Sequence, residues 1–273
     1  MQTTDDPQKK KIEAVFDSAS ASYDGPSLTY FEKSAGLLVE DMKLEGGERL
    51  LDIATGTGHA AIIAAHRLTH GRVTGIDISE GMLDRARKKA AAQGIANVEF
   101  LRLDMEDTGF EDGRFDVACC AFGLFFLPDI GRGLGHISKM IKPGGGLFIT
   151  SFGPGMMEPQ KGMLLNRLRE SGIDIPANLE RMDSPDKVRK LLEDAGFVSV
   201  EIRTRQLGYY MKDTREWLEI VSGTAFRGLL DQLSGPDSAR VLAEHTLEVE
   251  ALRGGDGIWL DIEVIFASAR TAG

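Results

Sequence analysis

Between residues 49 and 152 strand-like and helix-like runs follow one another in a regular order, and this constrains the chain most. RLLDIA (49–54) leads to a helix from about 58 to 69. RVTGID (72–77) leads to a helix that Ser79 caps and that runs to about 92. NVEFLRL (97–103) and FDVACCA (115–121) are two further strands. A helix begins near Asp129, carries Ile130, Leu134, Ile137 and Ile141 on one side, has Lys139 and Lys142 in its last turn and stops at Pro143-Gly144, before GLFITSF (146–152). Such alternation makes a mostly parallel α/β sheet covered by helices on both sides. Outside it, helical spacing predicts helices over 8–20 and 27–44, the latter stopped by Gly46 and Gly47. Ser184, Pro185, Asp186 and Gly196 punctuate one more helix. Strand 197–206 has one wet face and reads as an edge, and strand 258–268 has one apolar face. Two units follow: an N-terminal helical lid (1–45) and a ligand-binding domain (46–273) with cap insertions at about 154–183 and 209–256.

Composition narrows the partners. The 273 residues hold 32 Lys and Arg against 42 Asp and Glu, a formal charge of 32 − 42 = −10. That balance disfavours nucleic acid and anionic membranes. The one basic run, Lys9 to Lys11, reads as a solvated helix face. Cys119 and Cys120 are adjacent in a strand, where neighbouring side chains point to opposite faces, so they form neither an ordinary disulfide nor a zinc site. No metal is expected. The N-terminus lacks a signal-peptide core and no apolar run reaches membrane-spanning length, so a cytoplasmic protein with no membrane insertion is expected.

The strand ends carry the chemistry. Asp52 lies in the first strand, Asp77 ends the second, Asp104 follows the third, and the fourth ends in Ala121-Phe122-Gly123. Sheets of this class bind ligands beyond the C-terminal ends of their strands, where the chain order reverses. Gly56-x-Gly58-x-x-Ala61 with Asp77 nineteen residues after Gly58 resembles a dinucleotide fingerprint. A pyrophosphate there would be opposed by Asp52, because a helix dipole attracts an anion by only about 0.3–1 kcal/mol, whereas close like charges in a partly buried site oppose each other by several. S-adenosylmethionine (SAM), with an adenosine but a sulfonium and an ammonium instead of phosphates, turns the same charge to advantage. On this reading Asp77 accepts the ribose hydroxyls, Asp104 the adenine amine with Met105 against the ring, and Asp52 attracts the ammonium, directly or through water.

The motifs LLDIATGTG (50–58), VTGIDISEGMLDRAR (73–87), NVEFLRLDMEDTGFEDGRFDVACCAFGL (97–124) and MIKPGGGLFITSF (140–152) resemble those of class I SAM-dependent methyltransferases. The nearest group is that around the ubiquinone and menaquinone C-methyltransferases. VFDSASASYD (15–24) resembles their N-terminal lid. The resemblance implies a Rossmann-like seven-stranded sheet with the last strand antiparallel and SAM across strands one, two and four. The cofactor shell it implies is Asp52, Ala54, Thr55, Gly56, Thr57, Gly58, Asp77, Ile78, Met82, Asp104, Met105, Ala121 and Phe122, with Tyr23 closing over the methionine end. After residue 152 the match to quinone enzymes stops, and 209–256 stands where a short hairpin would join the last two strands. A broader small-molecule class under a helical cap is therefore expected, with a quinone-precursor C-methyltransferase as the alternative.

Methyl transfer to O, N or C is one in-line displacement that leaves S-adenosylhomocysteine (SAH), and it needs alignment and desolvation more than acid–base help. Where a base is used, His59 and His245 are the candidates. Arg181, Arg205 and Arg227 are available to an anionic acceptor. An NAD-dependent oxidoreductase and a non-catalytic SAM- or SAH-binding module remain as other readings, and the assembly expected is a monomer or homodimer.

Overall fold

A computed structural model describes residues 6–273, the side chains of 177–179 excepted. In chain order its elements are α1 (Pro7–Ala19), α2 (Thr29–Met42), β1 (Arg49–Ile53), α3 (His59–Arg67), β2 (Arg72–Asp77), α4 (Glu80–Ala92), β3 (Val98–Arg102), β4 (Phe115–Ala121), α5 (Ile130–Met140), β5 (Ile141–Phe152), α6 (Gln160–Glu170), α7 (Pro185–Asp194), β6 (Val198–Gln206), β7 (Tyr209–Met211), α8 (Thr214–Gly223), α9 (Arg227–Leu230), α10 (Gly235–Glu250), β8 (Ile258–Leu260) and β9 (Glu263–Arg270). The main sheet has seven strands in the order β3-β2-β1-β4-β5-β9-β6. All pairings are parallel except those of β9, which runs antiparallel to both neighbours. The chain lays β2 and β3 on one side of β1 and then returns to put β4 on the other. That reversal opens a crevice beyond the C-terminal ends of β1 and β4.

Strand β1 shows why this block folds as it does. Leu50, Leu51 and Ile53 are completely buried between helical layers, and each such side chain contributes about 1.5–3 kcal/mol relative to exposure. Helix α2 packs on α3 and β5 through Tyr30, Phe31, Ala35, Leu38 and Val39, all buried. Only α1 of the two N-terminal helices reaches the crevice.

Three element boundaries differ from the periodicity. Helix α2 ends at Lys43, which takes the left-handed conformation (φ 49°) and donates its N–H to the Glu40 carbonyl, ahead of Gly46. Helix α5 ends at Met140, so Lys142 and the KPGGG turn belong to β5. The cause is cross-strand pairing, with Ile141 opposite Phe115 and a register irregularity between Phe115 and Val117. Lys142 pairs with Asp116 instead of the helix terminus.

The apolar run 258–268 is two strands. Its side chains Ile258, Leu260, Ile262 and Val264 are fully buried, but β8 pairs with β7 in a separate ribbon and only β9 joins the main sheet. The corner is held by Gln206, whose Oε1 accepts the Gly208 and Ile262 N–H groups and whose amide reaches Asp261 at 3.0 Å.

The two insertions dock on each other. Arg167 of α6 grips Glu248 of α10 with two bonds of 2.8 Å and also Glu244. Trp217 of α8 donates its indole N–H to His245 of α10 at 2.7 Å. Among the described residues, no helix is long and apolar enough to cross a membrane.

Candidate active site

A cavity lies in the crevice, with about 760 Å³ of empty space including its mouth, and the strand ends build its floor. Ala54 and Gly56 come from the turn after β1, Asp77 and Ile78 from β2, and Asp104, Met105 and Glu106 from beyond β3. Ala121, Phe122 and Gly123 come from β4, Met82 from α4, and Lys9, Ile12, Phe16 and Tyr23 from the N-terminal segment.

The backbone is strained where it meets the cavity. Ala54 and Phe122 both have positive φ, 53° and 57°, conformations that cost side-chain-bearing residues of order 1–3 kcal/mol and cluster at functional sites. Gly123 is required by close approach, since a Cβ there would stand 2.6 Å from the Ala54 Cβ and 2.7 Å from the Cys120 sulfur. Gly56 (φ 55°) faces open space. Its N–H donates to Asp77 Oδ2 at 2.8 Å, and the Ser79 N–H donates to Oδ1 at 2.9 Å. Each carboxylate oxygen thus keeps a lone pair for a ligand. Burial pushes Asp77 up to about 6, the Asp17 charge adds to this, and the amides of Ser79, Gly56 and Ile78 oppose it.

Asp52, expected to attract the ligand's ammonium directly or through water, has no face of its own on the cavity. It is 1% exposed. Its Oδ2 accepts the Thr55 hydroxyl (2.6 Å) and the Ala61 N–H (3.0 Å), and its Oδ1 accepts the Cys119 thiol (3.3 Å). Gly58, in left-handed conformation (φ 84°), caps α3 without a side chain. Asp52 therefore serves that helix as a cap from a distance, its charge against the positive end of the dipole. Burial raises its carboxyl to about 6 despite those bonds. Thr55 and Thr57 also stand behind the cavity wall, Thr57 donating to Asp24 at 2.6 Å.

Neither histidine candidate faces the cavity. His59 Nε2 lies 2.9 Å from Asp24, and His245 is fully buried inside the cap. Asp24 is a residue that sequence reasoning missed. Burial alone would raise its carboxyl, but hydrogen bonds from His59 and Thr57 and the Lys89 ammonium at 3.1 Å hold it well below the usual range. It bolts the lid segment to the glycine turn. Arg181 does not wait for an anion either; its guanidinium donates to the carbonyls of Phe125 (2.5 Å), Leu127 (2.6 Å) and Pro128 (3.0 Å), shaping the loop after β4. Arg227 pairs with Asp231, and Arg205 donates to the Thr204 carbonyl.

Lys9 is the other omission. Instead of being solvated, it lines the cavity and pairs with Asp104 at 2.6 Å and Glu106 at 2.5 Å. Among the described residues the lining thus carries three carboxylates, Asp77, Asp104 and Glu106, against one ammonium and no guanidinium. This balance rejects a pyrophosphate and accepts a cationic nucleoside. The remaining wall is apolar, part aliphatic and part aromatic. Phe16, Tyr23 and Phe126 line the cavity, Tyr23 stacks on Phe31 (4.8 Å between centroids), and Phe122 stacks on Phe152 (4.4 Å).

Known proteins resemble this chain in sequence and in fold. Residues 50–145, which supply every strand end of the cavity floor, match a family described as a methyltransferase domain. Demethylmenaquinone methyltransferase of Thermus thermophilus is 32% identical over 172 residues, 58% of this chain and 78% of that protein. The chain belongs to the class I SAM-dependent methyltransferases. Aklanonic acid methyltransferase DauC of a Streptomyces species is 34% identical over 148 residues, 54% of this chain and 67% of that one. A solved structure of a putative methyltransferase from Bacillus halodurans shares the fold, with a TM-score of 0.61 at 21% identity, covering 88% of this methyltransferase and all of that chain. The enzyme uses SAM as its methyl donor. The dinucleotide reading of the glycine turn is thereby set aside.

Proposed function

We propose that the methyltransferase holds SAM in this cavity with Asp77 at the ribose hydroxyls, Asp104 and Met105 at the adenine, Ile78 and Met82 packed along the adenosine, and Ala54, Gly56, Ala121, Phe122 and Tyr23 around the methionine end. Asp52, Thr55, Thr57 and Gly58 act one layer back, shaping the turn that presents Gly56. The observation that carries the reading is the lining of three carboxylates and one lysine beside apolar and aromatic walls.

Bound SAM supplies an electrophilic methyl carbon with a neutral thioether as leaving group. The protein's own residues then have to orient an acceptor and exclude water. Tyr23 is unsuited to act as a base, because burial and the nearby Asp77 and Asp24 charges raise its phenol above the ordinary value. No histidine lines the cavity among the described residues. The acceptor therefore brings its own nucleophilicity, and a reduced quinone-type ring does so through electron release from its hydroxyl groups.

Such a flat acceptor suits the wall of Phe16, Tyr23, Phe122 and Phe126, and it agrees with the acceptors in the names of the two relatives. Two free buried cysteines fit a cytoplasmic setting. The test is to incubate the enzyme anaerobically with methyl-labelled SAM and either reduced demethylmenaquinone or a metabolite extract depleted of quinones. Label in the reduced quinone supports the proposal. Label only in compounds of the depleted extract overturns it.

A further inference from the structure

Helix α1 reads in sequence as a polar helix with a wet side, yet that side is docked. Lys9, Glu13 and Asp17 recur every four residues and form one stripe. Lys9 reaches Asp104 and Glu106 beyond β3, and Glu13 pairs with Arg102 at the end of β3. Asp17 Oδ1 accepts the Ser79 hydroxyl (2.5 Å) and the Gly81 N–H (2.9 Å) at the start of α4. Two other residues of the same helix, Ile12 and Phe16, line the cavity.

The Lys9 pair is the most enclosed of these. The three side chains are only 16%, 10% and 13% exposed, and Asp104 has both oxygens engaged, Oδ2 by Lys9 and Oδ1 by the Glu106 N–H at 2.9 Å. We infer that Lys9 is a gate residue of the cofactor cavity. It holds Asp104 and Glu106 both before and after the ligand enters, because each Asp104 oxygen keeps a second lone pair for the adenine amine, and it lets go only while α1 lifts to pass the ligand. This rests on the proposed role of Asp104 at the adenine. The gate slows ligand arrival and departure alike, because both require α1 to lift from the same two carboxylates. Its mark is a change in rates without a matching change in affinity.

The experiment measures association and dissociation of SAH by stopped-flow fluorescence on the full chain. Lys9→Met is expected to raise both rates about tenfold, the equivalent of one charge-assisted hydrogen bond, while Kd moves less than threefold. Raising NaCl from about 0.05 to about 0.5 M should speed exchange in the wild type and not in the variant, since a part-exposed ion pair is screened. Glu106→Gln should speed dissociation similarly, and the double variant should add little, as expected for one shared contact. Rates within twofold of wild type in Lys9→Met overturn the gate. Asp104→Asn separates the two ideas: a tenfold loss of SAH affinity supports the adenine role, and unchanged affinity overturns that role.

Discussion

Asp77 shows how one carboxylate is prepared for a ligand. Its two backbone donors fix its plane, and burial holds its pKa at about 6 in the free protein. Replacement by Ala should weaken SAH binding by about 1.5–3 kcal/mol, the value of a hydrogen bond to a charged group, as isothermal titration can measure. The same shift sets a pH dependence. Ribose hydroxyls donate to the ionised carboxylate, so ligand binding favours the deprotonated form. Above about pH 6 the group is already ionised and affinity is level. Below it a proton must first leave, and affinity should fall by up to about tenfold per unit. Asp77→Asn should flatten that limb; an equally steep profile in the variant would assign the pH dependence to another group. Asp52, the neighbouring acid, illustrates the opposite use of the same residue type. Its carboxylate is consumed by Thr55, Ala61 and Cys119, a role no spacing rule announces because the partners come from three separate elements.

Among the elements, the two insertions after β5 and β6 are held together by a hydrogen-bonded chain that reads from α8 through α10 to α6. The Trp217 indole can only donate, so His245 Nε2 accepts and the imidazole is neutral with its proton on Nδ1, 3.4 Å from Glu248. Burial lowers the His245 pKa below its usual 6.5, with the Glu248 carboxylate opposing. The sign follows directly. The unfolded chain takes up this proton more readily, so the stabilisation is complete above pH 6.5 and is lost as pH falls below it. The urea midpoint of the wild type should therefore drop between about pH 7 and pH 5.5 by more than that of a His245→Gln variant. Trp217→Phe strands the His245 acceptor in a dry interior and should cost about 1–3 kcal/mol at neutral pH. A cost near zero there would mean that water already serves His245. Neither insertion matches a motif, and the helices were legible only as amphipathic stretches; which of them touch was not. Likewise α1 looked like a solvated helix because Lys9, Glu13 and Asp17 are charged, and charge alone does not tell water from a partner across a cleft.

For the molecule as a whole, ligand and fold are linked. SAH at about one hundred times its Kd should stabilise the protein by about 2.7 kcal/mol, which for a chain of this size raises the melting temperature by roughly 5 °C or more. NADH at equal concentration should produce no shift; a comparable one would reopen the dinucleotide reading. The mostly parallel sheet and the strand-end positions of Asp77, Asp104 and Phe122 were legible in the sequence, because period, punctuation and buried apolar runs are local properties that survive without coordinates. The count of seven strands and the antiparallel last one came from the resemblance of the motifs to a known family. The glycine turn and the acids of successive strand ends already implied a cationic nucleoside. Tertiary structure decided what depends on approach across the chain. It split 258–268 between two sheets, because Gln206 and Asp261 build a corner there. It moved Asp52 from the ligand to a helix end, withdrew His59 and His245 from the cavity, and brought Lys9 and Glu106 into it. Each of these outcomes turns on pairings between residues far apart in sequence, and burial and charge pairing are settled only when those residues meet.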